Sequence, residues 1–164
     1  MSKVFGFPNP VNEVAARFVA TGVVVMAVLT VAFDLKPLTL LLAYGFVARV
    51  LTGPTLSPLG QLATRVLAPG SPWPAKLVPG PPKRFAQLIG AVFTVAAAVL
   101  TYGLDSFGAA QVVLAILIVP AALEAFAGFC LGCWMFGQLM RLGVIPAEVC
   151  AECNDIWNRA PAAT

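Results

Sequence analysis

Four cysteines are the residues in this chain whose type and spacing could do chemistry. They form two C-x-x-C pairs, Cys130-Leu-Gly-Cys133 and Cys150-Ala-Glu-Cys153, with sixteen residues between the pairs and no cysteine before Cys130. Small cysteines that merely fill a core would not cluster in this way. Two chemistries suit the pattern. Cysteines three apart on a helix share a face, close enough to form or exchange a disulfide or to carry sulfane sulfur. Alternatively, all four thiolates could close one tetrahedral zinc site, because the spacing between and within the pairs fits the four-cysteine template. The first pair adjoins the end of an apolar helix, whereas zinc knuckles sit on tight turns, and this favours thiol chemistry.

The two pairs differ in surroundings. Glu148, Glu152 and Asp155 flank Cys150 and Cys153, and negative neighbours disfavour a thiolate. A chain break near Gly128 would place Cys130 in the first turn of a new helix, whose dipole favours thiolate. The Cys130–Cys133 pair is therefore expected to be the more reactive. A second set of chemically able residues is Arg17, Arg49 and Glu124, each inside an otherwise apolar segment. A carboxylate in lipid normally finds a cation. Glu124 is expected to pair with Arg49 or Arg17, as a packing staple or as a proton or anion site.

The composition says what solvent these groups sit in. Of 164 residues, 60% are hydrophobic and only 10% charged, against about 25% charged in soluble domains. A compact globule with so few ionised groups would show water an apolar surface, and the lipid bilayer is the solvent that tolerates one. The net charge of +3 gives no argument for nucleic acid. Histidine is absent, which excludes histidine ligands and the commonest general base at neutral pH.

The expected architecture is all-α: a single integral membrane domain over 1–164, a four-helix bundle with short cytoplasmic or interfacial helices. Its spans run about 14–33, 37–52, 85–104 and 107–127. The first apolar run is longer than a signal-peptide core and is read as a span that stays in the membrane. The second span is short, since a crossing needs about 20 residues. Pro120 is expected to kink the fourth span. The Pro-rich connection 55–84 suits a helix lying in the interface, with Trp73 in the aromatic belt. A cysteine-rich tail over 128–158 holds one helix from Phe129 to Leu142 and another from Pro146 to about Asn158. Gly45, Gly90, Ala96, Ala97, Ala109 and Ala110 are small enough for close helix approach.

Three stretches carry a family resemblance: the lead-in PNPVNEVAARF, the segment YGFVARVLTGPTLSPLG and the tail GFCLGCWMFGQLMRLGVIPAEVCAEC. They resemble the bacterial membrane family called domain of unknown function 4395, over about Val11 to Asp155. The shared features fall on Asn12, Glu13, Arg17, Arg49, Ser57, Pro58, Glu124, Cys130, Cys133, Cys150 and Cys153. No activity comes with that family. Its members resemble components associated with thioredoxin-like and sulfurtransferase proteins, so the resemblance implies thiol or sulfur handling and a cytoplasmic partner of that kind.

Three functions follow as expectations. The leading one is a membrane-bound thiol redox or sulfur-relay protein working through Cys130, Cys133, Cys150 and Cys153. The second is a zinc-clipped assembly subunit using the same four cysteines. The third is a small transporter built on Arg17, Arg49 and Glu124, disfavoured because these charges lie near one face and not at the midplane. Lys3, Arg65, Lys76, Lys83, Arg84, Arg141 and Arg159, with Arg17 and Arg49 at the boundary, fall on one side of a four-span topology, and only Lys36 on the other. The positive-inside bias places both termini in the cytoplasm, and the resemblance implies a bacterial cytoplasmic membrane. An alkaline phosphatase fused after Thr164 should therefore be inactive and a fluorescent-protein fusion bright; the reverse result would overturn the orientation.

Overall fold

The computed structural model describes residues 6–150. Helix α1 (Glu13–Phe33) opens where the Asn12 side chain accepts the Val14 N–H at 3.0 Å, and it closes on Asp34 in the left-handed conformation. An Asn cap followed by Glu13 in the first turn is a start signal legible in sequence. Helix α2 (Pro37–Thr52) begins with proline, which lacks only an N–H that would have no helical partner there, and stops at Gly53 with φ 64°. Helix α3 (Pro58–Leu62) is capped by Ser57 and runs on as a π turn, Ala63–Leu67. Helix α4 spans Gly80–Tyr102. Helix α5 (Phe107–Ala122) passes into a second π turn, Leu123–Ala127, which ends at Gly128 with φ 68°. Helix α6 (Leu131–Arg141) and a 3-10 turn, Ala147–Cys150, complete the described chain.

Four helices close a ring. Helix α2 packs on α4, α4 on α5, α5 on α1, and α1 on α2. The interior is rich in small and hydroxylated residues: Thr30, Thr39, Thr94, Ala27, Ala97 and Ala110 are completely buried, beside a few large ones such as Leu42 and Leu114. Large apolar side chains such as Val92, Val99, Val112, Ile116 and Val119 face outward. This reverses the water-soluble pattern and suits lipid, where helices associate by close approach and not by hiding apolar surface. The buried threonines bring no stranded hydroxyl, because Thr30, Thr52, Thr94 and Thr101 each donate to the carbonyl four residues back at 2.8 Å.

Helices Glu13–Phe33, Gly80–Tyr102 and Phe107–Ala127 are long and apolar enough to cross a membrane. At 16 residues, α2 measures about 24 Å at 1.5 Å per residue, short of the roughly 30 Å hydrocarbon core. It is the fourth member of the ring all the same.

The connection between α2 and α4 holds the short helix α3 with its π turn and is then tied back to the bundle. A two-residue antiparallel bridge pairs Val11 with Val78 and Asn12 with Leu77. Just beside it, Gly80 N–H donates to Asn9 Oδ1 at 2.9 Å and Lys76 reaches Glu13 at 2.7 Å. These contacts tie the start of α1 to the start of α4. Trp73 packs on Phe18 of α1, with ring centroids 6.1 Å apart. The span expected from Phe85 begins instead at Gly80, because Pro81 and Pro82 occupy first-turn positions where proline is tolerated. The helix expected from Pro146 begins as a 3-10 turn, and its continuation to Asn158 lies outside the described residues.

Gly90 of α4 lies against the Phe46 ring of α2, where an added Cβ would overlap the ring. Gly90→Ala should lower stability by about 1–3 kcal/mol in thermal unfolding in detergent, the usual range for overpacking. Gly108→Ala, which meets nothing within 4 Å, should be neutral or stabilising by up to about 1 kcal/mol.

Candidate functional site

The first cysteine pair sits where the chain breaks. Gly128, in the left-handed conformation, ends the π turn, Phe129 closes it with its N–H on the Leu123 carbonyl at 3.1 Å, and the chain leaves that helix at Cys130. Cys130 then becomes the N-cap of α6, with extended φ −89° and ψ 101°. Its Sγ accepts the Cys133 N–H at 3.3 Å, and its carbonyl accepts the Trp134 N–H at 3.0 Å. The sulfur thus stands where a Ser or Asp would cap a helix, bonded to an amide with no partner inside the helix. Cys133 lies one turn on, with its Cα 5.2 Å from that of Cys130, and the two are joined as a disulfide. Both residues are partly exposed.

Helix α6 is held to the first half of α4. Gly132, between the two cysteines, lies so close to Ala86 that a Cβ would meet the Ala86 Cβ at 2.6 Å. Four residues on, the Phe136 ring meets that of Phe85, centroids 5.6 Å apart. Cys150 is buried at 4% exposure. Its neighbour Val149 lines a cavity of about 480 Å³, along with Phe7, Arg84, Phe85 and Phe136. None of the described cysteines is a free thiol, and Cys153 lies outside the described residues. Among the described residues no group of three or more Cys, His, Asp or Glu is placed to hold a metal ion.

The charged set converges on the same end of the bundle, with one change of partner. Glu124, in the π turn, pairs with Lys83 of α4, Nζ to Oε1 2.5 Å, with side chains 13% and 7% exposed. The expected pairing with Arg49 or Arg17 is therefore corrected. The reason is the early start of α4, which turns Lys83 from a loop residue into a buried helical one. Arg17 donates to the Ala125 and Phe126 carbonyls at 3.3 and 3.1 Å and lies 5.8 Å from the Trp73 ring. Carbonyls at the end of the π turn thus find a cation. Arg49, 5% exposed, donates to Gln87 at 2.8 Å and to Ser57 at 3.0 Å, with its guanidinium 4.5 Å over the Phe46 ring.

Lys83 and Gln87 were missed by sequence reasoning, though a signal existed. Lys83, Gln87, Gly90, Thr94, Ala97 and Thr101 recur at alternating spacings of four and three. That is the polar and small stripe of one helix face. Reading α4 from Phe85 truncates the stripe and hides its first member.

Fold and site together define an all-α membrane bundle with a charged layer at one end and a cysteine pair capping the adjoining helix. The chain belongs to the DUF4395 family, a domain of unknown function, whose family model matches residues 11–141. The match includes Cys130 and Cys133 and stops short of Cys150 and Cys153. No curated protein and no solved structure matches the chain.

Breaking the buried pair from one side should be far worse than removing it. Lys83→Met or Glu124→Gln alone should each cost about 3–5 kcal/mol, because one charge is left uncompensated. The double substitution should recover most of that loss in thermal unfolding; additive losses would mean that the two side chains act separately.

Proposed function

We propose that this protein is a membrane-bound dithiol–disulfide exchanger, with Cys130 as attacking thiolate and Cys133 as resolving thiol. One observation carries the reading: Cys130 caps α6 with its sulfur on the Cys133 amide, while the two sulfurs are within bonding reach. A helix N-terminus favours negative charge, so the reduced pair would hold its thiolate at Cys130. Partial exposure of both residues leaves a path for a protein partner.

The Cys130 thiolate attacks one sulfur of a partner disulfide, and the partner's other sulfur leaves as a thiolate. Cys133, losing its proton, then attacks the mixed disulfide, forming Cys130–Cys133 and releasing the partner as a dithiol. Two electrons pass to the partner, and the reverse reaction returns them. The partner class is a soluble thioredoxin-like protein, or a sulfurtransferase that hands sulfane sulfur to the same thiolate. The basic residues near this end favour the cytoplasmic side of a bacterial membrane. That compartment is reducing, so a disulfide there suits a cycling pair better than a permanent staple. Cys150 and Cys153 are the next exchange pair in this scheme. A zinc site would need Cys130 and Cys133 as two free thiolates, so the bond between them weighs against it.

The Cys133→Ser variant should trap a mixed disulfide with a thioredoxin-like protein on non-reducing gels, and Cys130→Ser should trap none. Elemental analysis of anaerobically purified protein should find no stoichiometric metal. One zinc per chain with four blocked thiols, or equal trapping by both variants, would overturn the assignment.

A further inference from the structure

The charge count at the end of the bundle does not close on itself. Two buried cations, Lys83 and Arg49, share one neighbouring carboxylate, and Glu124 spends it on Lys83. Among the described residues no carboxylate is within ion-pair distance of Arg49. Two of its five N–H groups are taken, by the neutral acceptors Gln87 and Ser57. A buried cation left in this state is costly unless something anionic completes it.

Arg49 also lines a cavity of about 220 Å³ between α1, α2 and α3. Apart from Ser57, its other walls are apolar: Met26, Leu41, Leu42 and Leu62 among them. Gly45 lines it one turn below Arg49, and a Cβ there would come within 3.2 Å of Nη1. The missing side chain lets the guanidinium lie close against the helix there. Leu41 is eight residues from Arg49 on the same helix, about 12 Å deeper by helix rise. The cavity therefore has a cationic head near the end of α2 and an apolar body extending toward the bundle middle. Leu41 and Leu62 are also about half exposed, at 45% and 47%, so this wall opens to the lipid-facing surface. Polarity graded in that direction is how a single-chain amphipath lies in one leaflet. The volume is below the roughly 300–1,000 Å³ usual for drug-sized ligands and suits one chain better than two.

We infer that the cavity between α1, α2 and α3 binds a single-chain lipid carboxylate, with its head group on Arg49 and its acyl chain along Leu41, Leu42 and Met26. The carboxylate supplies the missing counter-charge and accepts the N–H groups that the protein leaves open. This site is separate from the cysteine chemistry, and its test does not depend on that reading.

The test uses the full chain in a nonionic detergent, with radiolabelled laurate binding read by scintillation proximity. Laurate should bind saturably, dodecanol should compete at least ten-fold more weakly, and acetate should not compete. Arg49→Gln and the wall-filling Leu62→Trp should each abolish saturable binding, and Cys130→Ser should bind as the parent does. Dodecanol competing equally would mean an apolar groove without charge recognition. Acetate competing as well as laurate would mean a site for free anions. Saturable binding that survives Leu62→Trp would place the ligand elsewhere. Each of these outcomes overturns the inference. Should Arg49→Gln fail to fold, the three competitors and Leu62→Trp still decide it.

Discussion

Inside lipid, no water is available to satisfy a polar group, so every donor, acceptor and charge in the bundle must find its partner within the protein or in a bound ligand. Most of the arrangement follows from that constraint. Threonines in the ring interior bond back to their own helices. Small residues line the contacts, so backbones approach closely and dispersion replaces the missing hydrophobic drive. The charges are gathered at one end, where Lys83, Glu124, Arg17 and Arg49 bond one another, π-turn carbonyls, an amide and a hydroxyl.

That polar end is also where the helices are made to stop. Pro120 cannot donate to the helix, and the segment after it widens into a π turn carrying Glu124. Arg17 gathers the carbonyls at the end of that turn, and Gly128 in the left-handed conformation then breaks the chain. Only because of this break does Cys130 become a cap. Had α5 run straight on, the sulfur would lie on a helix flank with no free amide to accept. The packing of Gly132 on Ala86 then fixes α6 within a turn of Lys83, so the ion pair and the cysteine pair share one scaffold, the first two turns of α4.

Some parts of this were legible in the residues alone and others were not. The Asn12 cap, the Gly53 stop and the break at Gly128 are local signals, set by side-chain acceptors and by the freedom of glycine at positive φ. The identity of the Glu124 partner was not local. Three cations approach the same depth, and which of them reaches the carboxylate depends on where α4 begins. Its start lay hidden behind a Gly-Pro-Pro run that resembles a loop. The mini-bridge of Val11 with Val78 was equally unreadable, because two-residue strands carry no periodicity.

By itself the sequence determined the solvent, the helical class and the chemistry on offer. An apolar fraction of 60% with 10% charge admits only a bilayer, and two C-x-x-C pairs admit only a few thiol or metal roles. Tertiary structure decided which groups meet: Lys83 with Glu124, Arg49 with neutral partners and a cavity, Cys130 with an amide at a helix start. The division has a physical cause. Solvent preference and helix formation are sums over composition and local geometry, which a linear pattern records. Pairing of buried charges depends on distances of a few ångströms between helices far apart in the chain, and packing alone sets those distances.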